Sequence, residues 1–122
     1  MCDKFSKKSN PMMRQIFEVI VQRQQFLPPD SYTTSLLLGG IEKIVAKFSE
    51  ETEELIEAAV RLSSGGNGGK EKEHVVHEAA DLMYHFLVLL AACGVALNDV
   101  EQELGRRFGV SGLTEKALRN QP

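Results

Sequence analysis

The segment from residue 71 to residue 93, EKEHVVHEAADLMYHFLVLLAAC, is apolar on nearly every side if it forms a helix. Its apolar residues are Val75, Val76, Ala79, Ala80, Leu82, Met83, Phe86, Leu87, Leu89 and Leu90. A helix that is apolar on most faces must be covered on most faces. A chain of 122 residues offers few elements to cover it. The segment therefore predicts burial against a second copy of itself, most simply in a two-fold homodimer.

Ionisable residues interrupt this helix along one edge only. Glu78, Asp81 and His85 follow one another at spacings of three and then four residues. On a helix this spacing aligns side chains in one narrow line. The segment therefore predicts a polar seam, with an E-x-x-D acidic pair, on an otherwise apolar helix.

Local signals predict further helices on either side. The expected segments are about 11–27, a short helix within 31–40, about 41–62, and about 98–108. Asn10-Pro11 is typical of an N-cap followed by proline at the first helical position. Asn98 with Glu101 resembles a capping box at the start of the last helix.

The glycine-rich stretch 63–70 reads as a flexible loop between the two long helices, and Gly94 as the C-terminal cap of the second. A short loop between long helices favours an antiparallel hairpin. No strand pattern or internal repeat occurs. The expected fold is all-α, a helical bundle built on this hairpin and completed by dimerisation. One domain is expected over 1–122, with flexible ends at 1–10 and 110–122.

Composition excludes several classes of protein. A net charge of −3 gives no general attraction to nucleic acid or to anionic membrane surfaces, so neither partner is expected. Two cysteines provide no disulfide framework and suit a reducing compartment. The basic start lacks an apolar signal-peptide region, and the longest charge-free run, 86–97, is too short to span a bilayer. The expected location is the cytoplasm.

The first long helix carries a matching acidic pair. Glu51 interrupts the apolar stripe within 44–62, and Glu54 lies one turn further on the same side. In an antiparallel hairpin, both acidic pairs fall at the same height, roughly 20 Å from the loop at about 1.5 Å per residue. Like charges ~4 Å apart repel by about 4 kcal/mol at an effective dielectric of ~20, so a cation should offset them. Oxygen ligands favour Mg²⁺ or Mn²⁺, and such sites commonly handle phosphates.

Basic residues near the acidic pairs have two interpretations. Lys43 and Lys47 precede the first pair by one to two turns, where they could contact substrate phosphates or simply pair with neighbouring carboxylates. His85 fits a substrate contact, a residue behind the metal ligands, or a hydrogen-bonded structural histidine. His74 and His77 are expected to be solvated.

Two longer stretches resemble a known family. SYTTSLLLGGIEKIVAKFSEETEELIEAA and HEAADLMYHFLVLLAACGVALNDVEQEL resemble the phosphoribosyl-ATP pyrophosphohydrolases of histidine biosynthesis, as does SGLTEKALR near the end. The broader kinship is with the MazG-like all-α nucleoside triphosphate pyrophosphatases, whose metal motif is E-x-x-E followed by E-x-x-D. Ser49 replaces a glycine usual in the family, and the loop 63–70 is longer than is typical.

The resemblance implies roles for individual residues. It makes Glu51, Glu54, Glu78 and Asp81 the Mg²⁺ ligands, with Glu50 as a further ligand or base, and it implies dimeric assembly. The implied reaction is hydrolysis of phosphoribosyl-ATP to phosphoribosyl-AMP and pyrophosphate, with Glu50 or Glu51 accepting a proton from the attacking water.

Substrate contacts are expected nearby, from residues on two elements of the chain. The candidates for phosphate or ribose-phosphate are Lys43, Lys47 and His85, and those that shape the pocket are Ser31, Tyr32 and Thr33. Capping of the short helix is an equal alternative for the last three.

Two other functions remain open from the sequence. A pyrophosphatase of the same fold could act on ordinary or damaged nucleotides. The chain could also be a helical dimer module without activity, in which the acidic residues are only solvated surface.

Overall fold

A computed structural model describes residues 11–65 and 68–108. The helices in these ranges are α1 (Met12–Phe26), α2 (Tyr32–Leu38), α3 (Gly40–Ser63), α4 (Gly68–Ala92) and α5 (Leu97–Arg107). The described residues contain no strand, which confirms the predicted all-α class. The predicted flexible ends at 1–10 and 110–122 lie outside the described residues.

The hairpin of α3 and α4 makes the most extensive contact between elements in the described chain. Gly65 has a φ of +88°, a left-handed conformation that glycine adopts at no steric cost and that turns the chain after α3. The predicted loop 63–70 is too long, because α4 begins at Gly68 rather than near residue 71. Glu71 in the first turn favours this early start, since an acidic side chain stabilises a helix N-terminus.

The large core side chains gather at the end of the hairpin away from this turn. The largest fully buried side chains are Ile20 of α1, Leu36 of α2, Ile44 of α3, and Leu87 and Val88 of α4. Helix α1 packs along α4, while α2 contacts α1, α3 and α4. The core therefore covers only one end of the long hairpin.

The hydrogen bonds at residues 89–99 show where α4 ends and where α5 begins. Gly94, with a φ of +71°, ends α4 as predicted, and the N–H of Val95 bonds the carbonyl of Leu90 at 3.0 Å in a Schellman-type end. The predicted capping box of α5 is wrong. Leu97 is buried in the core and begins the helix, so the N-cap is Ala96, two residues before the predicted Asn98.

The start of α5 and the two ends of α1 also differ from the predictions. The side chain of Glu101 bonds Arg14 of α1 at 2.8 Å instead of reaching back to the start of α5. Pro11 occupies the N-cap position of α1 without a side-chain cap, whereas the predicted N-cap, Asn10, lies outside the described residues. The α1 helix ends at Phe26, just before the proline pair that was expected to stop it.

The turn end of the hairpin leaves apolar side chains exposed. Ile56, Val60 and Val76 are 55%, 58% and 68% exposed, respectively. By length and composition alone α4 could cross a membrane, with a mean hydropathy of 1.4 over its most apolar window. Core helices of soluble proteins have the same property, and α4 is the helix around which the other elements pack.

Candidate metal and phosphate site

Three carboxylates meet across the seam between α3 and α4. Glu51, Glu54 and Glu78 each offer an oxygen atom, and these atoms lie within 4.8 Å of one another. Glu54 and Glu78 are equally distant in sequence from residue 66, so the hairpin has the register that the sequence predicts. Glu51 and Glu78 are only 6% and 8% exposed, which is unusual for ionisable side chains.

The charges of the cluster are only partly compensated within the described chain, by Lys47 at 3.7 Å from Glu51. One oxygen of Glu51 and one of Glu78, Oε1 in each case, are buried without a hydrogen-bond partner. A hydrogen bond to Glu78 raises the pKa of Glu54, and desolvation and the charge of Glu51 raise it further. Carboxylates this close favour sharing a proton when no cation lies between them. The donor set, all oxygen and rich in charge, suits a hard divalent cation such as Mg²⁺.

Asp81 lies at the edge of this cluster. It forms a second group with His77 and Glu78, again with one ligand atom from each residue within 4.8 Å of the others. The Nε2 atom of His77 is 3.4 Å from Oδ2 of Asp81, and both side chains are well exposed. Glu78 therefore belongs to both groups, and the four predicted ligands divide into a triad plus an outer carboxylate.

His74 makes a contact that the sequence reasoning missed. Its Nε2 atom lies 3.0 Å from Oε2 of Glu78. The His74 side chain is 41% exposed and therefore partly solvated, but the prediction did not include its bond to a candidate ligand. The spacing of four residues between His74 and Glu78 is the sequence signal that could have identified this pair.

Lys47 connects the cluster to the next turn of α3. Its Nζ atom lies 2.8 Å from Oε1 of Glu50 and 3.7 Å from Oε2 of Glu51. The hydrogen bond with Glu50 raises the pKa of Lys47, and the same bond lowers the pKa of Glu50. Glu50 is thus exposed and engaged by a cation, whereas Glu51 is buried.

Tyr32 and His85 bring α2 to the polar edge of α4. The Tyr32 hydroxyl lies 2.9 Å from Nε2 of His85, and Nδ1 of His85 lies 2.8 Å from the backbone carbonyl of Asp81. Because a carbonyl only accepts, Nδ1 of His85 donates to it. Nε2 of the neutral ring then accepts a hydrogen bond from the Tyr32 hydroxyl. Tyr32 also contributes to the raised pKa of Lys47, after the larger effect of Glu50.

The remaining predicted contact residues are Thr33, Ser31 and Lys43, and each bonds to another part of the chain away from the carboxylates. The Thr33 hydroxyl bonds the hydroxyl of Tyr84, which was absent from the predicted site and whose pKa is raised by burial. Ser31 caps α2 by accepting a hydrogen bond from the Thr34 N–H at 3.2 Å, so the capping interpretation is correct for it. Lys43 donates to the carbonyl of Ser35 at 3.3 Å, a contact at the corner of α2 and α3 rather than at the carboxylates.

Comparison with known proteins identifies the family of the chain. Residues 13–108 match the family model described as phosphoribosyl-ATP pyrophosphohydrolase. The phosphoribosyl-ATP pyrophosphatase of Geobacter sulfurreducens is 47% identical over 90% of this chain and 94% of that protein. The protein of the same name from Rhodopirellula baltica is 50% identical over 75% of this chain and 72% of that protein. The chain therefore belongs to the phosphoribosyl-ATP pyrophosphohydrolase family.

Proposed function

We propose that this chain hydrolyses phosphoribosyl-ATP to phosphoribosyl-AMP and pyrophosphate, the second step of histidine biosynthesis, in a Mg²⁺-dependent reaction. The names of the relatives support the substrate. The observation that carries the metal dependence is the triad of Glu51, Glu54 and Glu78, which keeps two buried carboxylate oxygens unpartnered. A buried charge is costly unless it is paired, so the arrangement fits a site for a cation.

The ligands we assign to Mg²⁺, or to Mn²⁺ in its place, are Glu51, Glu54 and Glu78, with Asp81 at the outer edge. Bound there, the ion would neutralise phosphate oxygens and make a water more acidic. The chain supplies only carboxylates to the triad, and this donor chemistry favours Mg²⁺ over thiol-seeking metals.

Of the two candidate proton acceptors, Glu51 fits better than Glu50. Glu50 is bonded to Lys47 at 2.8 Å, and this interaction lowers the pKa of Glu50 and weakens it as a base. Glu51 is buried and keeps one oxygen free of hydrogen bonds. We therefore propose that Glu51 accepts the proton of the water that attacks the linkage between the α and β phosphates. The Glu50 carboxylate positions Lys47.

The remaining candidates supply substrate contacts. Lys47 stands beside the triad, held by Glu50, and can bind phosphate once Glu51 engages a cation. Tyr32 is exposed and can contact the ribose-phosphate or the base, while buried His85, bonded to the Tyr32 hydroxyl and the Asp81 carbonyl, holds it in place. Thr33 and Ser31 hold α2 in place, and Lys43 lies further along the same side of α3.

We also propose a homodimer in the cytoplasm, with no nucleic-acid or membrane partner. Its support is the exposed apolar surface of Ile56, Val60 and Val76 at the turn end of the hairpin. A second copy is the simplest cover for such a surface, because a two-fold interface pairs one patch with itself.

Pyrophosphate release by the purified protein tests the proposal. Phosphoribosyl-ATP should be turned over faster than any of a panel of dNTPs, activity should need Mg²⁺, and EDTA should abolish it. Faster turnover of a dNTP would replace the substrate with that of a housecleaning pyrophosphatase. No release of pyrophosphate from any of these nucleotides would leave a helical module without this activity.

A further inference from the structure

His74 holds one oxygen of Glu78 from outside the carboxylate triad. Its Nε2 atom is 3.0 Å from Oε2 of Glu78, within normal hydrogen-bond distance. An ionised carboxylate can only accept, so Nε2 carries the proton and donates it. His74 is part-exposed, whereas the Glu78 side chain is 10% exposed, so the bond runs inward from the surface to a buried acceptor.

The two carboxylate oxygens of Glu78 have different surroundings. Oε2 is engaged by His74, and Oε1 is buried without a hydrogen-bond partner. A carboxylate fixed through one oxygen cannot rotate freely, so the direction of the other oxygen is fixed as well. Partners that orient a metal-binding side chain in this way typically change metal affinity 10- to 100-fold when they are removed.

We propose that His74 is a positioning residue, which orients Glu78 for the divalent cation by donating a hydrogen bond to Oε2. The inference rests on the proposed function, because it takes Glu78 as a ligand. It adds a residue that no described motif contains, since His74 precedes the E-x-x-D pair by one helical turn. The effect is specific to metal affinity and leaves the chemistry at saturating metal in place.

His77 offers a useful contrast on the same helix. It lies next to Asp81 at 3.4 Å, but its side chain is 70% exposed and that of Asp81 is 41% exposed. Exposed pairs are only weakly ordered, because both side chains keep their freedom in water. The buried acceptor makes His74, rather than His77, the residue whose removal changes the geometry of the cluster.

The test compares the full-length wild-type protein with three variants. His74→Ala removes the donor, His74→Gln retains an N–H donor on a side chain of similar reach, and Lys72→Ala is a control at an exposed position of α4. Mn²⁺ affinity is measured by electron paramagnetic resonance, and kcat and KM for phosphoribosyl-ATP are measured at saturating Mg²⁺. Circular dichroism verifies that each variant is helical.

We expect His74→Ala to weaken Mn²⁺ binding about 10-fold, the low end of the usual range because His74 is partly exposed. His74→Gln should recover affinity close to that of the wild type, Lys72→Ala should match the wild type, and kcat at saturating Mg²⁺ should stay unchanged throughout. A merely structural role would instead lower helicity and kcat together, and would not be rescued by Gln.

Two results would overturn the positioning role alone, given wild-type Mn²⁺ binding that Glu78→Gln weakens. The first is wild-type affinity in His74→Ala, and the second is a His74→Gln variant as weak as His74→Ala. A wild-type protein that binds no Mn²⁺ would overturn the metal site itself, and the role of His74 with it.

Discussion

The two halves of the α3–α4 hairpin bury opposite kinds of side chain. The turn-proximal half, residues 51–63 and 68–81, has as its fully buried members Glu51, Ala58 and Glu78. The turn-distal half, residues 40–50 and 82–92, buries Ile44, His85, Leu87, Val88 and Ala91. One half thus hides two carboxylates and a methyl group, and the other hides an aliphatic core with one histidine.

This difference separates stability from function within one hairpin. The distal half is covered by α1 and α2, so burial of apolar area stabilises it within the chain. The proximal half holds the charges of the proposed site and leaves Ile56, Val60 and Val76 exposed. Under the proposed function, the stability of this half depends on a cation in the seam and a second copy on the apolar surface.

The largest expected effect is in the distal half. Leu87→Ala removes a side chain that is 1% exposed and should lower the free energy of unfolding by about 2–5 kcal/mol, through lost burial and the cavity left behind. Chemical denaturation measures this change. Val45→Ala, at a position that is 47% exposed and outside the proposed dimer surface, is the matched control, and an equal loss in both variants would contradict the stabilising role of the buried core.

Adding a divalent cation should act on the proximal half. Mg²⁺ at about 100 times its dissociation constant should raise the free energy of unfolding by about 2.7 kcal/mol, because it binds only the folded protein. Hydrogen exchange with and without Mg²⁺ locates the change. We expect added protection near residues 51–54 and 78–81, and uniform protection along the hairpin would remove the distinction between its halves.

Glu51→Gln should separate activity from stability. The substitution removes both a proposed metal ligand and the proposed base, so it should lower Mg²⁺-dependent turnover at least about 100-fold, the low end of what a general base contributes. Without Mg²⁺ it should stabilise the fold by about 1 kcal/mol, because it removes a buried charge that lies beside two other carboxylates and is offset only by Lys47 at 3.7 Å. Activity assays and denaturation in EDTA measure the two effects.

The control for this substitution is Glu57→Gln, at an exposed position of the same helix. It should change neither turnover nor stability appreciably. Loss of stability in Glu51→Gln without Mg²⁺ would mean that the carboxylate is already compensated within the protein.

Tyr32→Phe tests the connection between α2 and the polar edge of α4. Loss of the hydroxyl that contacts His85 at 2.9 Å should lower the free energy of unfolding by about 0.5–1.5 kcal/mol, the net value of one hydrogen bond. Thermal unfolding at a fixed Mg²⁺ concentration measures the change. Wild-type stability in the variant would show that α2 is held by its other contacts alone.

The smallest effect concerns pH. Because the hydrogen bond to Glu78 raises the pKa of Glu54 in the folded protein, Glu54 binds its proton more tightly there than in the unfolded chain. Its contribution to stability is fully present below the ordinary carboxyl pKa and is lost as pH rises through the raised value. Melting temperatures in EDTA should therefore fall with rising pH less steeply in Glu54→Gln than in the wild type, and identical slopes would contradict the shared proton.

The sequence was sufficient for the parts of the molecule that depend on periodicity. Spacing alone predicted α3 to within a residue at each end, the hairpin register, and the meeting of Glu51, Glu54 and Glu78. The cap at Gly94 was equally predictable, because an αL position at a helix end strongly favours glycine.

Tertiary contacts decided what the sequence could not supply. Burial of Leu97 and the bond between Arg14 and Glu101 replaced the capping box expected at α5. Glycine signalled a loop at 68–70, but intrinsic propensity is a weak guide where a helix can extend along its partner. The four-residue spacing allows the bond between His74 and Glu78, but the burial of Glu78 depends on how α3 covers α4, which a pattern of residue types does not specify.

The proposed metal site is tested most directly by soaking crystals of the protein in Mn²⁺ and recording anomalous diffraction to locate the ion. The account predicts one strong peak in the α3–α4 seam, coordinated by carboxylate oxygens of Glu51, Glu54 and Glu78. A seam that holds only water and the Lys47 ammonium at saturating Mn²⁺ would contradict it.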